Sequence, residues 1–385
     1  MRKHIGSAAL IAATIGFSVP AMALDVTPYG AIRVGTWYTS STYYNPADGA
    51  AFHDADFTLD LQGDSLVGIR VKEGDFGGVA ELGAYNPKNR SGGVELRLLF
   101  GEWDFGKGKL RVGYAPSPYV YRSEQTYDSD GGFNGYGSLW DGRHAQIKAT
   151  LNNGMYLALM KPGTSKNGPV AATTNSGASW SGTPHNQTAT VYAATNTNYD
   201  TYLPRTVLGY EGKSGIVNYG GGAALNAYTE TQTNAGATAY KDEIYSYLAF
   251  AHTRIDLAPV ELKFNLYGGR NIGNLMSNPA AAVGSFYQRN SAGRTADANT
   301  IGGWAQAGYV VNDKTKVFAG VSYETSDSNI TELDDKLAAF ANLQYVVTKN
   351  FKVVPEFTYL DDMNSIAGTK EPKIYAAGVK WEMSF

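Results

Sequence analysis

The sequence predicts an all-β protein: a 16-stranded antiparallel transmembrane β-barrel with long connections at one end and short turns at the other. Three observations predict it. Apolar and polar side chains alternate with a period of two along nearly every long segment, as in strands with one face against an apolar phase. Every second connection is a turn of a few residues, while those between run from about 8 to about 39 residues. Finally, the segment Lys373–Phe385 sets Tyr375, Ala377, Val379, Trp381, Met383 and Phe385 on one face, against Ile374, Ala376, Gly378, Lys380, Glu382 and Ser384 on the other. A soluble sandwich would accommodate this one strand, but has no reason to keep all its long loops at one end through sixteen strands.

The amino end points to export. Arg2-Lys3-His4 is followed by a nearly wholly apolar run from Ile5 to Val19 and by Ala21-Met22-Ala23, the pattern of a signal peptide cleaved after Ala23. Residues 24–385 then form a single barrel domain. No later segment approaches the roughly 18 consecutive apolar residues of a membrane helix, so a membrane form must be a closed barrel. The formal net charge of −3 becomes more negative once Arg2 and Lys3 are removed, which argues against nucleic acid as a partner. With no cysteine, an exported chain of this size closes its structure by joining its own edges rather than by disulfides.

Strand one covers about Val26–Thr39, with Ile32 and Val34 opposite Arg33 and Trp37, and a polar loop follows. Strand two, Ala55–Lys72, sets Phe57, Leu59, Leu61, Val67, Ile69 and Val71 against Thr58, Asp60, Gln62, Asp64, Arg70 and Lys72. A turn at 73–76 leads to strand three (77–85) and a loop at 86–93. Strand four, 94–105, sets Val94, Leu96, Leu98 and Phe100 opposite Glu95 and Arg97. In strand five, 109–114, Arg111 opposes Leu110, Val112 and Tyr114. After the long loop Ala115–Gly142, strands six (143–151) and seven (155–161) flank Asn152-Asn-Gly154, a strong hairpin signal. The longest loop, 162–200, precedes strand eight. The remaining strands fall at 201–211, 216–228, 243–255, 260–270, 300–311, 316–324, 336–347, 351–360 and 373–385.

The stretch Asp64-Ser-Leu-Val-Gly-Ile-Arg-Val-Lys-Glu-Gly-Asp-Phe-Gly-Gly-Val79 resembles a run shared by Gram-negative diffusion porins. So does Arg97-Leu-Leu-Phe-Gly-Glu-Trp-Asp-Phe-Gly-Lys-Gly-Lys-Leu-Arg-Val-Gly-Tyr-Ala-Pro-Ser-Pro118, which leads into their third loop. The resemblance is close over about residues 57–118. It implies a homotrimer in the outer membrane, surrounded by lipid and lipopolysaccharide, passing ions and small hydrophilic solutes by passive diffusion, without a cofactor. It also implies a third loop folded into the lumen, here about 115–142, whose Glu124, Asp128 and Asp130 face wall arginines Arg33, Arg97 and Arg111 across a pore constriction. Interface strands rich in small residues are expected at Ala31–Gly35 and Ala376–Gly378. This chain has Asp128-Ser-Asp-Gly-Gly-Phe133 where the family has Pro-Glu-Phe-Gly-Gly, and its second loop is short.

Two other functions compete. A barrel enzyme needs a nucleophile held by a base and an orienting group; His53, His144, His185 and His252 fall in loops or near strand ends, and no Gly-x-Ser-x-Gly occurs. Histidine spacing gives no metal site, and Asp128-Ser-Asp130-Gly131 falls short of an EF-hand loop. A structural or adhesin-type barrel would use its long fourth loop to bind a partner.

Overall fold

The computed structural model describes residues 24–45, 49–84, 93–164, 196–233, 240–276, 285–289 and 295–385. The expected signal peptide, the second loop and His185 lie outside these residues. In chain order the strands are β1 (Asp25–Tyr44), β2 (Ala51–Leu61), β3 (Leu66–Glu73), β4 (Phe76–Ala84), β5 (Val94–Asp104), β6 (Gly108–Pro116), β7 (Arg143–Leu151), β8 (Met155–Met160), β9 (Asn196–Asp200) and β10 (Arg205–Ser214). They continue with β11 (Val217–Thr233), β12 (Tyr240–Leu257), β13 (Val260–Arg270), a small β14 (Gln288–Arg289) and β15 (Thr295–Ala296) hairpin, and β16 (Ala298–Asn312). Last come β17 (Thr315–Ser328), β18 (Asp334–Thr348), β19 (Phe351–Asn364) and β20 (Lys373–Ser384).

All wall pairings are antiparallel, and β20 returns to β1 with Ala31 opposite Ser384 and Thr42 opposite Lys373. The sheet therefore closes into a barrel without edges. Two of its sixteen wall strands are broken, which corrects the sequence reading of 55–72 and 201–211. β2 pairs with β1 from Val34↔Leu61 upward, and β3 pairs with it from Ala31↔Leu66 downward. Four residues, Gln62–Ser65, thus sit opposite two of β1. In the same way β9 and β10 share β11, with Asp200↔Thr229 and Thr206↔Leu225 as neighbouring pairs.

A third correction concerns β5. Its register against β4 slips by one residue between Glu81↔Leu98 and Leu82↔Leu96, leaving Arg97 bulged. A one-residue slip exchanges the two faces. Beyond it Leu99 and Trp103 point outward, both exposed, and Phe100 turns inward, where the Arg111 guanidinium lies 4.4 Å from its ring centre. The expected grouping of Leu98 and Phe100 with Leu96 fails for this reason.

Outward positions carry exposed apolar side chains such as Leu59, Val67, Val112, Leu157, Leu208, Leu266 and Val321. Aromatics gather near the strand ends: Phe76 stacks on Trp103 and Phe351 on Trp381 at the short turns, and Tyr359 meets Tyr375 at the other end. This is the apolar band with aromatic girdles that a lipid-facing barrel requires. β20 follows its expected alternation, with Tyr375, Trp381, Met383 and Phe385 exposed and Ile374, Ala376 and Lys380 buried.

Candidate functional site in the lumen

The connection after β6, residues 117–142, enters the barrel and is pinned along its length. At its root Asp141, fully buried, accepts hydrogen bonds from Ser117 and Arg205, and its Oδ2 lies 3.0 Å from His144 Nε2. The Tyr119 hydroxyl sits 2.6 Å from the same oxygen and 2.7 Å from the Leu275 carbonyl, and accepts from Arg205. Burial pushes the Tyr119 phenol well above its ordinary range, so it stays a hydrogen donor.

Further in, Tyr121 is sandwiched between His252 and Trp304, at 4.3 and 5.5 Å between ring centres. Glu124 takes Lys263 Nζ at 2.6 Å and Gln344 Nε2 at 3.3 Å, donates its own N–H to Gln306, and offers its carbonyl to Asn342. Burial opposes ionisation of Glu124, but the charge and hydrogen bond of Lys263 outweigh it and hold the carboxyl below its ordinary pKa.

At the tip, the buried Glu356 carboxylate accepts the backbone N–H groups of Thr126 and Tyr127 at 2.7 and 2.8 Å, the Thr126 hydroxyl, and donors from Asn342 and Thr358. Asp128 and Ser129 take left-handed backbone angles (φ 54° and 64°), which turns the chain back. Ser129 Oγ receives the Gly63 N–H at 2.9 Å, and Tyr127 packs edge-on against Trp37. On the return limb Gly137 has φ +100°, and a Cβ there would lie 2.7 Å from the carbonyl oxygens of both Gly303 and Tyr323. No other residue fits.

Two apolar clusters fill the space between loop and wall. One joins Tyr119 and Leu139 to Tyr156, Met160, Val207, Leu248, Phe250 and Tyr267. The other joins Tyr127, Phe133 and Tyr136 to Trp37, Trp304, Phe340 and Leu360. A second inward element was not foreseen: the 3₁₀ turn Ile272–Leu275 after β13 is wholly buried in the first cluster. Asn274 bonds Ser246 and Tyr228, and Tyr287 donates to the buried Glu230.

Each sequence-predicted wall arginine points inward and meets a carboxylate of the wall itself. Arg33 Nε lies 2.7 Å from Glu382 and 3.3 Å from Asp64, and Lys380 reaches Asp64 at 3.2 Å. Arg97 pairs with Glu81 at 2.7 Å, and Arg111 with Glu102 at 2.8 Å. The loop acids meet other partners: Glu124 sits against β13, β16 and β18, and Asp128 is exposed at the tip. The Asp130 side chain lies outside the described residues. Missed were Lys263, Glu356, Arg205 and the wall carboxylates. Apart from Asp64, which lies in the break between β2 and β3, these occupy polar phases of their strands, but nothing in one strand names its partner on another.

No protein-family model matches the sequence, and no curated protein matches it either. Among solved structures, the outer membrane channel DcaP of Acinetobacter baumannii superposes with a TM-score of 0.68 at 13% identity, over 96% of this chain and 99% of that one. OmpT of Vibrio cholerae with its loop L8 deleted gives 0.56 at 16% identity, over 94% and 99%. The anion-selective porin of Comamonas acidovorans gives 0.54 at 12% identity, over 94% and 100%. The fold is that of the outer-membrane porin barrels.

Proposed function

We propose that this protein is an outer-membrane porin, a water-filled channel for passive diffusion of ions and small hydrophilic solutes into a Gram-negative cell. One observation carries this reading: a wall apolar towards its surroundings encloses a lumen lined with ion pairs, among them Arg33, Asp64 and Glu382, Arg97 and Glu81, and Arg111 and Glu102. Charges of this density call for water, since desolvating each would cost several kcal/mol, of the order the ion pairs themselves return.

The third loop's contacts favour a passage between the loop and the β3–β6 wall, because its inner limbs and tip meet β10–β19, β1 and Gly63, and its root rests on β7 and β8 through His144, Tyr156 and Met160. Arg33, Arg97 and Arg111 on the wall and Glu124, Asp128 and Asp130 on the loop are the proposed bounds of the constriction. The amino-terminal leader directs export and is cleaved after Ala23, and the finished barrel sits among lipid and lipopolysaccharide. The assembly proposed is a homotrimer. It is supported by an outward depression of about 800 Å³ over β16–β20, floored by Ala307, Ala319, Ala341 and Ala377 beside Pro355 and Phe357, where close wall-to-wall packing is sterically open.

A catalytic role is not proposed. Ser117 donates to Asp141 rather than to His144, His252 is stacked under Tyr121, and the Thr42 hydroxyl that meets His53 at 3.0 Å is exposed near a strand end. The test is conductance in planar bilayers, with reversal potentials in a salt gradient. Stepwise ohmic currents are the expected result; a folded barrel that produces none refutes the channel.

A further inference from the structure

We propose that the four-residue break Gln62-Gly63-Asp64-Ser65 is the wall-side seat of the third loop's tip, and that Arg33 and Arg97 are positioning residues that build this seat. The functional consequence rests on the channel reading; the seat itself does not.

The break is not a slack loop. Gln62 N–H bonds the Arg33 carbonyl at 2.8 Å, and Ser65 N–H bonds the Gln62 carbonyl at 2.9 Å. Ser65 Oγ accepts from Arg33 N–H at 2.9 Å and donates to the Arg33 carbonyl at 3.0 Å. Gln62, Asp64 and Ser65 are all buried. Two arginines then grip successive carbonyls from opposite sides: Arg97 Nη1 donates to Gly63 O at 3.1 Å, and Arg33 Nη1 donates to Asp64 O.

Each guanidinium is aimed by a carboxylate on its Nε, Glu81 for Arg97 and Glu382 for Arg33. With both carbonyls engaged from the wall, the Gly63 N–H is turned to the lumen, where it meets Ser129 Oγ. Gly83 makes room for this arrangement, since a Cβ there would occupy the space of Arg97 Cγ and Cδ.

A guanidinium has a rigid fork that serves a carboxylate and a carbonyl at once, whereas an ammonium is a point charge. Exchange of Arg for Lys therefore separates positioning from field: the charge stays and the grip is lost. Gly83→Ala displaces Arg97 with no change of charge, and Ser129→Ala removes the tip's bond and leaves the wall intact.

The experiment is hydrogen exchange on detergent-solubilised protein, read at peptides covering 62–65 and 126–131, for Arg33→Lys, Arg97→Lys, Gly83→Ala and Ser129→Ala, with bilayer recordings of each. All four should speed exchange in both segments by roughly tenfold, the scale of one lost hydrogen bond to a charged or backbone group. Strands β16–β18 should not change. In bilayers, open-channel noise should rise in all four, and in Gly83→Ala and Ser129→Ala, which change no charge and lie outside the constriction set, the reversal potential should stay where it is. Unchanged exchange in Arg97→Lys and Gly83→Ala overturns the proposal, as does a reversal potential that moves in the Lys variants while noise does not. Faster exchange with no current from any form, the parent included, upholds the seat and refutes the channel.

Discussion

Asp141 gathers Ser117, Tyr119, His144 and Arg205 on one buried oxygen. Arg205→Leu leaves that carboxylate buried without its cation, and breaking such a pair costs about 3–5 kcal/mol. Denaturant unfolding followed by circular dichroism should show the loss, and adding Asp141→Leu should recover part of it. Glu124 gives a pH prediction. Its folded pKa is depressed, so the stability it contributes is present above the unfolded value and is lost only as pH falls through the lower folded value. Mild acidification should therefore leave single-channel conductance steady. In Lys263→Met the main cause of the depression is gone, and the acid-induced change should begin at higher pH. Charge removal has a sign as well. Arg111→Gln leaves Glu102 uncompensated and should move the reversal potential toward cations, while Asp128→Asn should move it toward anions.

At the scale of elements, the Gly137 contact with β16 and β17 fixes how deeply the return limb sits. Gly137→Ala combines a left-handed backbone with a blocked Cβ and should lower unfolding stability by about 1–3 kcal/mol. A matched Gly106→Ala, also at positive φ but with nothing near its Cβ, should cost less. The breaks in the second and eighth wall strands show why part of the fold was not legible. In the first, four residues face two, and in the second the five between Asp200 and Thr206 face three, so each inserts two; Phe57, Leu59 and Leu61 thus keep the phase of Val67, Ile69 and Val71 and alternation runs on undisturbed. The single-residue bulge at Arg97 was legible in principle, since it moves Leu99 and Trp103 into the outward set, but both faces there are apolar enough to hide the slip. The inward direction of Arg33, Arg97 and Arg111 was readable because it depends only on phase within one strand. The partners of Glu124 and Glu356 depend on which wall the loop reaches, and no local period encodes that.

For the whole molecule, the depression lined by Ala319 and Ala341 is where a neighbouring protomer's wall would seat. Ala341→Trp should fill it, and native mass spectrometry should then find single copies in place of the three proposed for the parent; a trimer unchanged by the substitution would move the interface to another face. The closing ladder between β1 and β20 also bears on how the protein is made. It joins residues from opposite extremes of the chain, so no hairpin formed earlier can template it. Closing a loop of that length is slow more than it is costly, since each doubling adds only about 0.6 kcal/mol of entropy. While it waits, the nearly finished sheet carries two unpaired borders, and each matches the opposite border of any other copy in the same state. Exchange of terminal strands between copies thus competes with self-closure, and only the former depends on concentration. Refolding at rising protein concentration should accordingly trade closed protomers for exchanged ones, a partition governed by encounter rate and untouched by anything inside the barrel.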